Sequence, residues 1–378
     1  MKKAIAAGHI CLDITPAFTG DKPSDIGEIL RPGKVVMVGA PDVHTGGSAA
    51  NTGLAMRKLG ADVKLVAKVG NDTFGGLVKS ILDEHDAGGD LIIDEHCSTS
   101  YSVVLAIPGT DRIFLHDPGA NDTFDGNEIS DEVLEGIDLF HFGYPTLMKR
   151  MYENGGVYLK EMLKRIREKG IITSLDMSAV DPKSEAGAVD WKAVLQEILP
   201  FVDIFVPSFE ELCFMLDRPR LERLSDEAGN KDITDIIQTD TDVKPLLRKC
   251  HEMGAKIVLI KCSAQGLFLS VRGNISGLCD RLELKEEEWK DFESFQRSFH
   301  VDRVVSATGA GDVSIAAFLT SLLEKNDPVT AVENAAAAGA LCCMTYDAIS
   351  NIRPLNEIRA LIENGWKENE VFPEGYAE

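Results

Sequence analysis

The middle of the chain alternates short apolar segments with longer segments in which apolar residues recur at helical spacing, and glycine or proline separates most of them. Strand–helix alternation of this kind produces a parallel sheet that is covered by helices on both faces. The pattern therefore predicts an α/β fold with a mostly parallel sheet. The predicted strands are 139–143, 171–176, 203–206 and 256–260, and the predicted helices that separate them are 157–169, 191–199 and 243–253.

The N-terminal third has a less regular pattern. Residues 4–12 predict a buried strand that ends at Asp13. Open α/β sheets bind ligands at the carboxyl ends of their strands, so Asp13 is a candidate binding residue. Shorter strands are predicted at 35–38, 100–107 and 112–115, with a turn at 108–111.

Residues 306–312 combine small side chains, two glycines and a carboxylate ahead of an apolar, helix-like segment. Gly309 and Gly311 permit backbone turns that a Cβ atom would obstruct. The first turn of a helix has unpaired N–H groups and attracts anions, so this segment predicts a phosphate site. Asp312 is placed to accept a proton from a hydroxyl group that attacks a phosphoryl group. An ordinary helix start, with Asp312 favoured by the helix dipole alone, is the alternative interpretation.

A second glycine-rich motif, Gly-Gly-Ser-Ala-Ala-Asn, occupies residues 46–51. Together with Thr-Gly-Ala-Gly-Asp at 308–312, it closely resembles the two signatures of the ribokinase-like (PfkB) carbohydrate kinases, in the same order and over nearly the whole chain. The resemblance implies a single domain over residues 1–378, folded as a three-layer α/β/α sandwich. It also implies a small β lid, contributed by about 14–45 and 98–118, and ATP-dependent phosphorylation of a hydroxyl group of a sugar or sugar-containing molecule.

The same resemblance implies the roles of individual residues. Asp312 is the expected general base, and the backbone of Gly309, Ala310 and Gly311 is the expected anion hole. The acceptor is expected to contact Asp13, Gly46, Gly47, Asn51 and Asn121, the last of which follows Gly119 and Ala120. The nucleotide is expected to contact Ser208, Ser263, Gly266, Thr308, Gly309 and Gly311.

Ser208 and Glu211 occupy the positions of an Asn-x-x-Glu motif that organises magnesium in the family. Mg²⁺ prefers oxygen ligands and keeps several waters, so Glu211 is expected to hold the ion through water. The same two residues also predict a helix N-cap with a capping box. One geometry serves both purposes, and the two interpretations are compatible.

Several positions depart from the family pattern. Cys262 replaces the first glycine of the nucleotide loop, and Ser306 replaces an aspartate that helps to bind a monovalent cation. The loop around Asp347 lacks its usual glycine, and we therefore expect weak or absent dependence on K⁺. Ser48 replaces a ribokinase lysine, so ribose itself is not indicated. Residues 218–242 and 283–299 resemble insertions, and the second of these predicts an amphipathic surface helix.

The net charge of −22 argues against a general binder of nucleic acid or of anionic membranes. No apolar run approaches the roughly 20 residues that a membrane span requires. Eight scattered cysteines fit a reducing compartment and predict a cytoplasmic location, and Cys342 and Cys343 are expected to be small core residues. The expected partner is a small-molecule substrate, with a possible homodimer through the lid.

Three alternatives remain open. The first is a nucleoside kinase of the same fold. The second is a dinucleotide-dependent oxidoreductase, because Gly309-x-Gly311 follows the strand-like residues 301–305, although Ser314 replaces the third glycine. The third is a binding protein that has lost catalysis, which the departures at Ser208, Ser306 and Cys262 would permit. No Walker A motif occurs, which excludes a P-loop enzyme.

Overall fold

The computed structural model describes residues 2–18, 27, 29–107, 112–229 and 231–370. Within these residues the strands are Lys3–Gly8 (β1), Cys11–Thr15 (β2), Asp42–Gly46 (β3), Asp62–Val66 (β4), Lys68–Gly70 (β5), Ile92–Asp94 (β6), Tyr101–Leu105 (β7), Ile113–Asp117 (β8), Leu139–Gly143 (β9), Ile172–Leu175 (β10), Ile204–Phe205 (β11), Ile257–Cys262 (β12), Gly266–Val271 (β13) and Glu293–Arg297 (β14). The α-helices are Ser48–Leu59 (α1), Thr73–Asp83 (α2), Lys149–Tyr152 (α3), Val157–Glu168 (α4), Trp191–Ile198 (α5), Phe209–Leu216 (α6), Arg218–Ala228 (α7), Lys244–Glu252 (α8), Ser276–Leu282 (α9), Glu286–Trp289 (α10), Ala310–Leu323 (α11), Pro328–Cys342 (α12) and Leu355–Glu363 (α13).

The main sheet has eight strands in the order β14-β13-β12-β11-β10-β9-β1-β4. The pairs from β12 to β4 are parallel, whereas β13 and β14 join as antiparallel edge strands. A second sheet has the order β3-β2-β7-β8, and β5 pairs with β6 separately. This second sheet includes strands from both segments from which the sequence predicts a lid.

Alternate residues of the central strands pack on opposite sides of the main sheet. In β12, Val258 and Ile260 join one apolar cluster, while Ile257 and Leu259 join another. Helices α4, α5, α6 and α8 cover the first face, and α1, α11, α12 and α13 cover the second. Since a strand alternates its side chains between faces, burial on both sides requires a continuous apolar run. The three-layer α/β/α prediction is confirmed.

The predicted strand at 4–12 is wrong as a single element. The chain leaves the main sheet after Gly8, whose φ is +124°, and joins the second sheet at Cys11. A Cβ atom on Gly8 would lie 2.2 Å from the Gly143 carbonyl oxygen, so the bend requires glycine. Asp13 consequently belongs to β2 in the second sheet and does not end a strand of the main sheet.

Other elements of the N-terminal region also differ from the prediction. Residues 35–38 form no strand, because this segment pairs with no described strand. Val35 and Met37 are mostly exposed. The strand here is β3, which ends at Gly46 within the first glycine motif. The predicted strands at 100–107 and 112–115 appear as β7 and β8, while the turn at 108–111 lies outside the described residues.

The amphipathic helix predicted at 283–299 is also wrong. Only Glu286–Trp289 is helical, and Asp291 has a φ of +56°, which a continuing helix cannot accommodate. Residues 293–297 then pair with β13, so sheet formation overrides the helical spacing. Trp289 is fully buried with its ring centroid 6.2 Å from that of Phe318. Residues 301–305, the strand required by the dinucleotide alternative, form no strand.

The predicted helices at 157–169, 191–199 and 243–253 are confirmed as α4, α5 and α8, and the strand predicted at 139–143 has the bounds of β9. The eight cysteines all lie in described residues and are free. Among the described helices, none combines the length and the apolar character that crossing a membrane would require.

Candidate active site

The carboxyl ends of β9, β10 and β12 and the N-termini of α6 and α11 meet at one cavity of about 520 Å³. Polar residues that directly follow or end these strands face it, including Tyr144 after β9 and Lys261 in β12. Asp312 lines the cavity, and apolar side chains form much of its wall. This is the sheet edge at which an open α/β fold binds its ligands.

Asp312 occupies the first turn of α11 and is 2% exposed. Its Oδ2 atom accepts hydrogen bonds from Asn51 Nδ2 and from the Tyr144 hydroxyl, each at 2.9 Å. The other oxygen, Oδ1, is buried and has no hydrogen-bond partner. Burial raises the pKa of Asp312, although the bond from Asn51 and the charge of Lys261 oppose this effect. The carboxylate is thus held by one oxygen and has the other available to accept a proton.

The backbone ahead of Asp312 forms the turn that the glycine motif predicts. Gly309 is the N-cap of α11 with a φ of +80°, and a Cβ atom there would lie 2.5 Å from Ala348 Cβ. Ala310 and Gly311 begin the helix, where N–H groups lack intrahelical acceptors, although the Ala310 N–H donates to the Ala307 carbonyl at 3.2 Å. Thr308 receives a hydrogen bond from the Arg112 side chain, which lies next to the second sheet. This contact joins the second sheet to the predicted anion hole.

A buried ion pair lies beside this turn. Lys261 Nζ is 2.6 Å from Asp176 Oδ1, and the side chains are 12% and 1% exposed. Burial alone would lower the pKa of Lys261, but Asp176, Glu211 and Asp312 raise it above its ordinary value. The amine therefore stays charged. Asp176 Oδ2 is buried without a partner.

Asp13, Gly46 and Gly47 come together on the acceptor side of the predicted site. A Cβ atom on Gly46 would lie 2.0 Å from Asp13 Oδ2, so the carboxylate rests directly against the glycine backbone. Gly47 has a φ of +87°, and a Cβ atom on it would lie 2.5 Å from the His9 carbonyl oxygen. The Cys11 thiol donates to Asp13 Oδ1 at 3.2 Å. Both glycines are thus required for close approach of neighbouring groups.

The contacts of two asparagines differ from the expected roles. Asn121 is fully buried, with Oδ1 accepting from the Ile10 N–H at 3.2 Å and Nδ2 donating to the Ile10 carbonyl at 2.8 Å. The Asn121 amide thus secures the link between β1 and β2, and its expected contact with acceptor hydroxyls stays a prediction. The Asn51 amide nitrogen donates to Asp312, so it positions this carboxylate.

Two histidines that the sequence analysis did not identify flank the acceptor side. His9 Nε2 lies 3.3 Å from His116 Nε2, and Ser102 Oγ is 3.1 Å from His116 Nδ1. Burial, with a smaller contribution from His116, lowers the pKa of His9 to about 3. Partial desolvation also lowers the pKa of His116, although this residue is exposed to solvent. The buried His9 ring is therefore neutral at neutral pH and can donate and accept hydrogen bonds.

The capping box at Ser208 is present. The Ser208 N–H donates to Glu211 Oε2 at 2.7 Å, and the Glu211 N–H donates to Ser208 Oγ at 3.2 Å. Both residues line the cavity next to Lys261. Among the described residues, no group of three or more histidine, cysteine, aspartate or glutamate side chains forms a ready metal site.

The predicted nucleotide loop also lines the cavity. Gly266 has a φ of +134°, and a Cβ atom there would lie 2.0 Å from the Gln296 carbonyl oxygen of β14. The Ser263 hydroxyl donates to Asp232 Oδ2 at 2.7 Å, which ties the loop to the 218–242 segment. The cavity wall also includes Phe299, so both segments that resemble insertions contribute to it. Cys343 lines the cavity as well, which corrects its expected place in the core, whereas Cys342 is fully buried.

Sequence reasoning missed Tyr144, Asp176 and Lys261 in addition to the histidines. Each of these three residues follows or ends a predicted parallel strand. That position, at the sheet edge where α/β folds bind ligands, could have identified them from the sequence. The structure brings these residues together with Asp312 and Glu211.

The fold and the site define an α/β protein in which a glycine-rich helix start lies beside a buried carboxylate. A model of the pfkB family carbohydrate kinases matches residues 8–354, and the chain belongs to this family. It is 22% identical to a ribokinase of Arabidopsis thaliana, over 96% of this chain and 83% of that protein. It is 24% identical to fructokinase-1 of Zea mays, over 95% of this chain and 97% of that protein.

A solved structure of a fructokinase with bound ATP from Xylella fastidiosa superposes with a TM-score of 0.70 at 18% identity, covering 96% of this chain and 98% of that one. This similarity shows the fold. The ribokinase-like architecture and the assignment to the carbohydrate kinases, both implied by the two glycine motifs, are confirmed.

Proposed function

We propose that this enzyme transfers the terminal phosphoryl group of ATP to a hydroxyl group of a sugar or sugar-containing small molecule, with Asp312 as the general base. The observation that carries the proposal is the state of its carboxylate. One oxygen is held by Asn51 and Tyr144, and the other is buried without a partner at the start of a helix. The raised pKa of Asp312 favours proton acceptance from a hydroxyl group.

The other residues then have defined tasks. The N–H groups of Gly309 and Gly311 stabilise negative charge on the transferring phosphoryl group, because the first helical turn leaves them free of intrahelical acceptors. The Ala310 N–H would have to leave the Ala307 carbonyl in order to join them. Asp13 binds acceptor hydroxyls, and Gly46 and Gly47 make room for that contact. The second sheet covers the acceptor and keeps water from taking the phosphoryl group.

The residues present fit a magnesium ion. Asp176, Glu211 and Asp312 place three carboxyl groups around one lysine, so oxygen ligands are available near the predicted phosphates. Magnesium is usually held by one or two carboxylates, several waters and the substrate phosphates, so a closed protein site is not required. Glu211 would hold the ion through water, and the ion would neutralise phosphate charge.

The nucleotide is proposed to occupy the rest of the cavity, with its phosphates towards Thr308 and its base among the apolar residues. Ser208, Ser263 and Gly266 line this region. The alternative of a nucleoside acceptor uses the same base and anion hole, and only the acceptor distinguishes it.

We also propose a homodimer through the second sheet. Strand β8 is an edge strand, and Phe114 and Leu115 on it are 50% and 55% exposed. An apolar edge of this kind favours pairing with another chain. Leu115→Asp should shift the sedimentation coefficient to that of the monomer, whereas an unchanged coefficient would contradict the proposal.

An ATP-consumption screen against sugars, polyols and nucleosides tests the function, with Asp312→Asn as the matched inactive control. We expect one acceptor class to stimulate ADP release in the wild type only. Equal ADP release by both proteins with every acceptor would overturn the assignment of Asp312. Binding of NAD rather than ATP, measured by thermal shift, would favour the dinucleotide alternative.

A further inference from the structure

We propose that Lys261 is a second catalytic residue, whose amine contacts the transferring phosphoryl group while Asp176 positions it. The inference rests on the proposed phosphotransfer and adds a charged donor to the backbone anion hole. A Cβ atom placed on Gly311 would lie 3.4 Å from Lys261 Cδ and 3.8 Å from Nζ. The lysine side chain therefore lies against the helix start at which the phosphoryl group is expected.

The Lys261 amine has more hydrogen-bond donors than Asp176 accepts. An ammonium group has three donors, and Asp176 Oδ1 takes one of them at 2.6 Å. The Lys261 side chain also lines the cavity, so a ligand there is within reach of the remaining donors. Asp176, which is 1% exposed, limits the side-chain freedom of Lys261 and aims the amine.

The surrounding charge supports the same role. The carboxylates of Asp176, Glu211 and Asp312 face Lys261, and in their presence the amine remains charged. Phosphoryl transfer spreads negative charge over the oxygens of the moving group, and a fixed cation at that place stabilises the transition state. An ion pair that served only to stabilise the fold would need no place in the cavity wall.

The chain contains a matched control pair. Lys256 lies five residues earlier, just before β12, and its Nζ is 2.7 Å from Asp203 Oδ1, with side-chain exposures of 21% and 2%. This pair has the same chemistry as Lys261 and Asp176 but lies at the opposite end of the strand. Lys256→Met therefore measures how the loss of a buried ion pair changes stability and binding when no residue of the cavity wall is altered.

The first measurement is calorimetric titration of the full chain with MgATP and with MgADP. Lys261→Met should weaken MgATP binding by about 10-fold to 100-fold, the effect of one hydrogen bond to a charged group, and should change MgADP binding much less. We call the affinity for MgATP divided by the affinity for MgADP the ATP-to-ADP ratio. Asp176→Asn should also lower this ratio, because the Lys261 amine is then no longer held in position. Lys256→Met should leave the ratio unchanged. A ratio in Lys261→Met equal to that of Lys256→Met would overturn the proposal.

The second measurement is turnover with the acceptor found in the screen. Lys261→Met should lower kcat by about 100-fold to 1,000-fold, as the loss of one transition-state donor does. Methylamine should restore part of the activity of Lys261→Ala, which a purely structural role would not allow.

If Lys261→Met fails to fold, the double variant Asp176→Asn with Lys261→Met removes both charges of the pair, and the same affinities and kcat can be measured on it. If the wild type phosphorylates no acceptor, the proposed function fails, while the ATP-to-ADP ratio still decides whether Lys261 contacts the terminal phosphate.

Discussion

Replacing Asp312 with asparagine is the sharpest test of the proposed base, because the structure predicts which contacts survive. The asparagine oxygen can take the place of Oδ2 and accept from both Asn51 and Tyr144. Its NH₂ group then replaces Oδ1, the buried oxygen that has no partner. The site would keep its shape but present a donor where a proton acceptor is needed.

The expected magnitudes follow from these contacts. General-base catalysis contributes about 10²–10⁴-fold, so kcat should fall by at least the lower value. The two hydrogen bonds lose their charge assistance, which roughly halves their strength. The substitution also removes a buried charge, which opposes that loss, since burial raises the pKa of Asp312. We expect a net change in unfolding free energy of no more than about 1 kcal/mol, or about 1–2 °C in Tm for a chain of this length.

The assay combines three measurements on the same protein: kcat, acceptor Kd and Tm. If Asp312 only capped a helix, asparagine would cap about as well, and activity would survive. A wild-type kcat in Asp312→Asn would therefore refute its role as the base. Loss of acceptor binding to the same extent as kcat would instead indicate that Asp312 is mainly a binding residue.

Four further predictions concern the same site. Tyr144→Phe removes a hydrogen bond that lowers the pKa of Asp312, so the acidic limb of the kcat profile should move to higher pH, and an unmoved limb would contradict the bond's role. Gly46→Ala should displace the Asp13 carboxylate and raise the acceptor KM by about 10-fold or more without altering the KM for ATP, as steady-state kinetics would show. Turnover should stop in excess chelator and return with Mg²⁺, whereas full activity with chelator would exclude a divalent ion. Exchanging Na⁺ for K⁺ at fixed ionic strength should change the rate little, because Ser306 replaces the aspartate that helps to bind a monovalent cation in the family. A large increase in rate with K⁺ would refute this prediction.

The sequence predicted well those features that depend on local or periodic signals. The apolar run at 139–143 is β9, and the helix start after Gly309 is α11. The Ser208–Glu211 spacing predicted a capping box that the structure contains. In each case the residues that determine the feature are neighbours along the chain, so no tertiary knowledge was needed.

Features that depend on distant partners were not predictable in this way. The helical spacing at 283–299 competes with pairing to β13, and sheet pairing prevails for residues 293–297. The amide of Asn121 has ordinary loop chemistry in the sequence, but its partner is the backbone of Ile10, 111 residues away. The contact of Asn51 with Asp312 spans 261 residues, and only the fold places these side chains together.

The departure at Cys262 and the insertion at 218–242 are connected in the structure. Cys262 is fully buried with a negative φ, and the left-handed backbone falls on Ser263, whose φ is +48°. A residue other than glycine is uncommon in this conformation and costs free energy. The Ser263 hydroxyl donates to Asp232, and Gln265 donates to Asp235 at 3.0 Å. Two side chains of the 218–242 segment therefore restrain the loop at 263–265. The predicted nucleotide loop thus forms its turn without the family's first glycine, because side chains of the inserted segment restrain it.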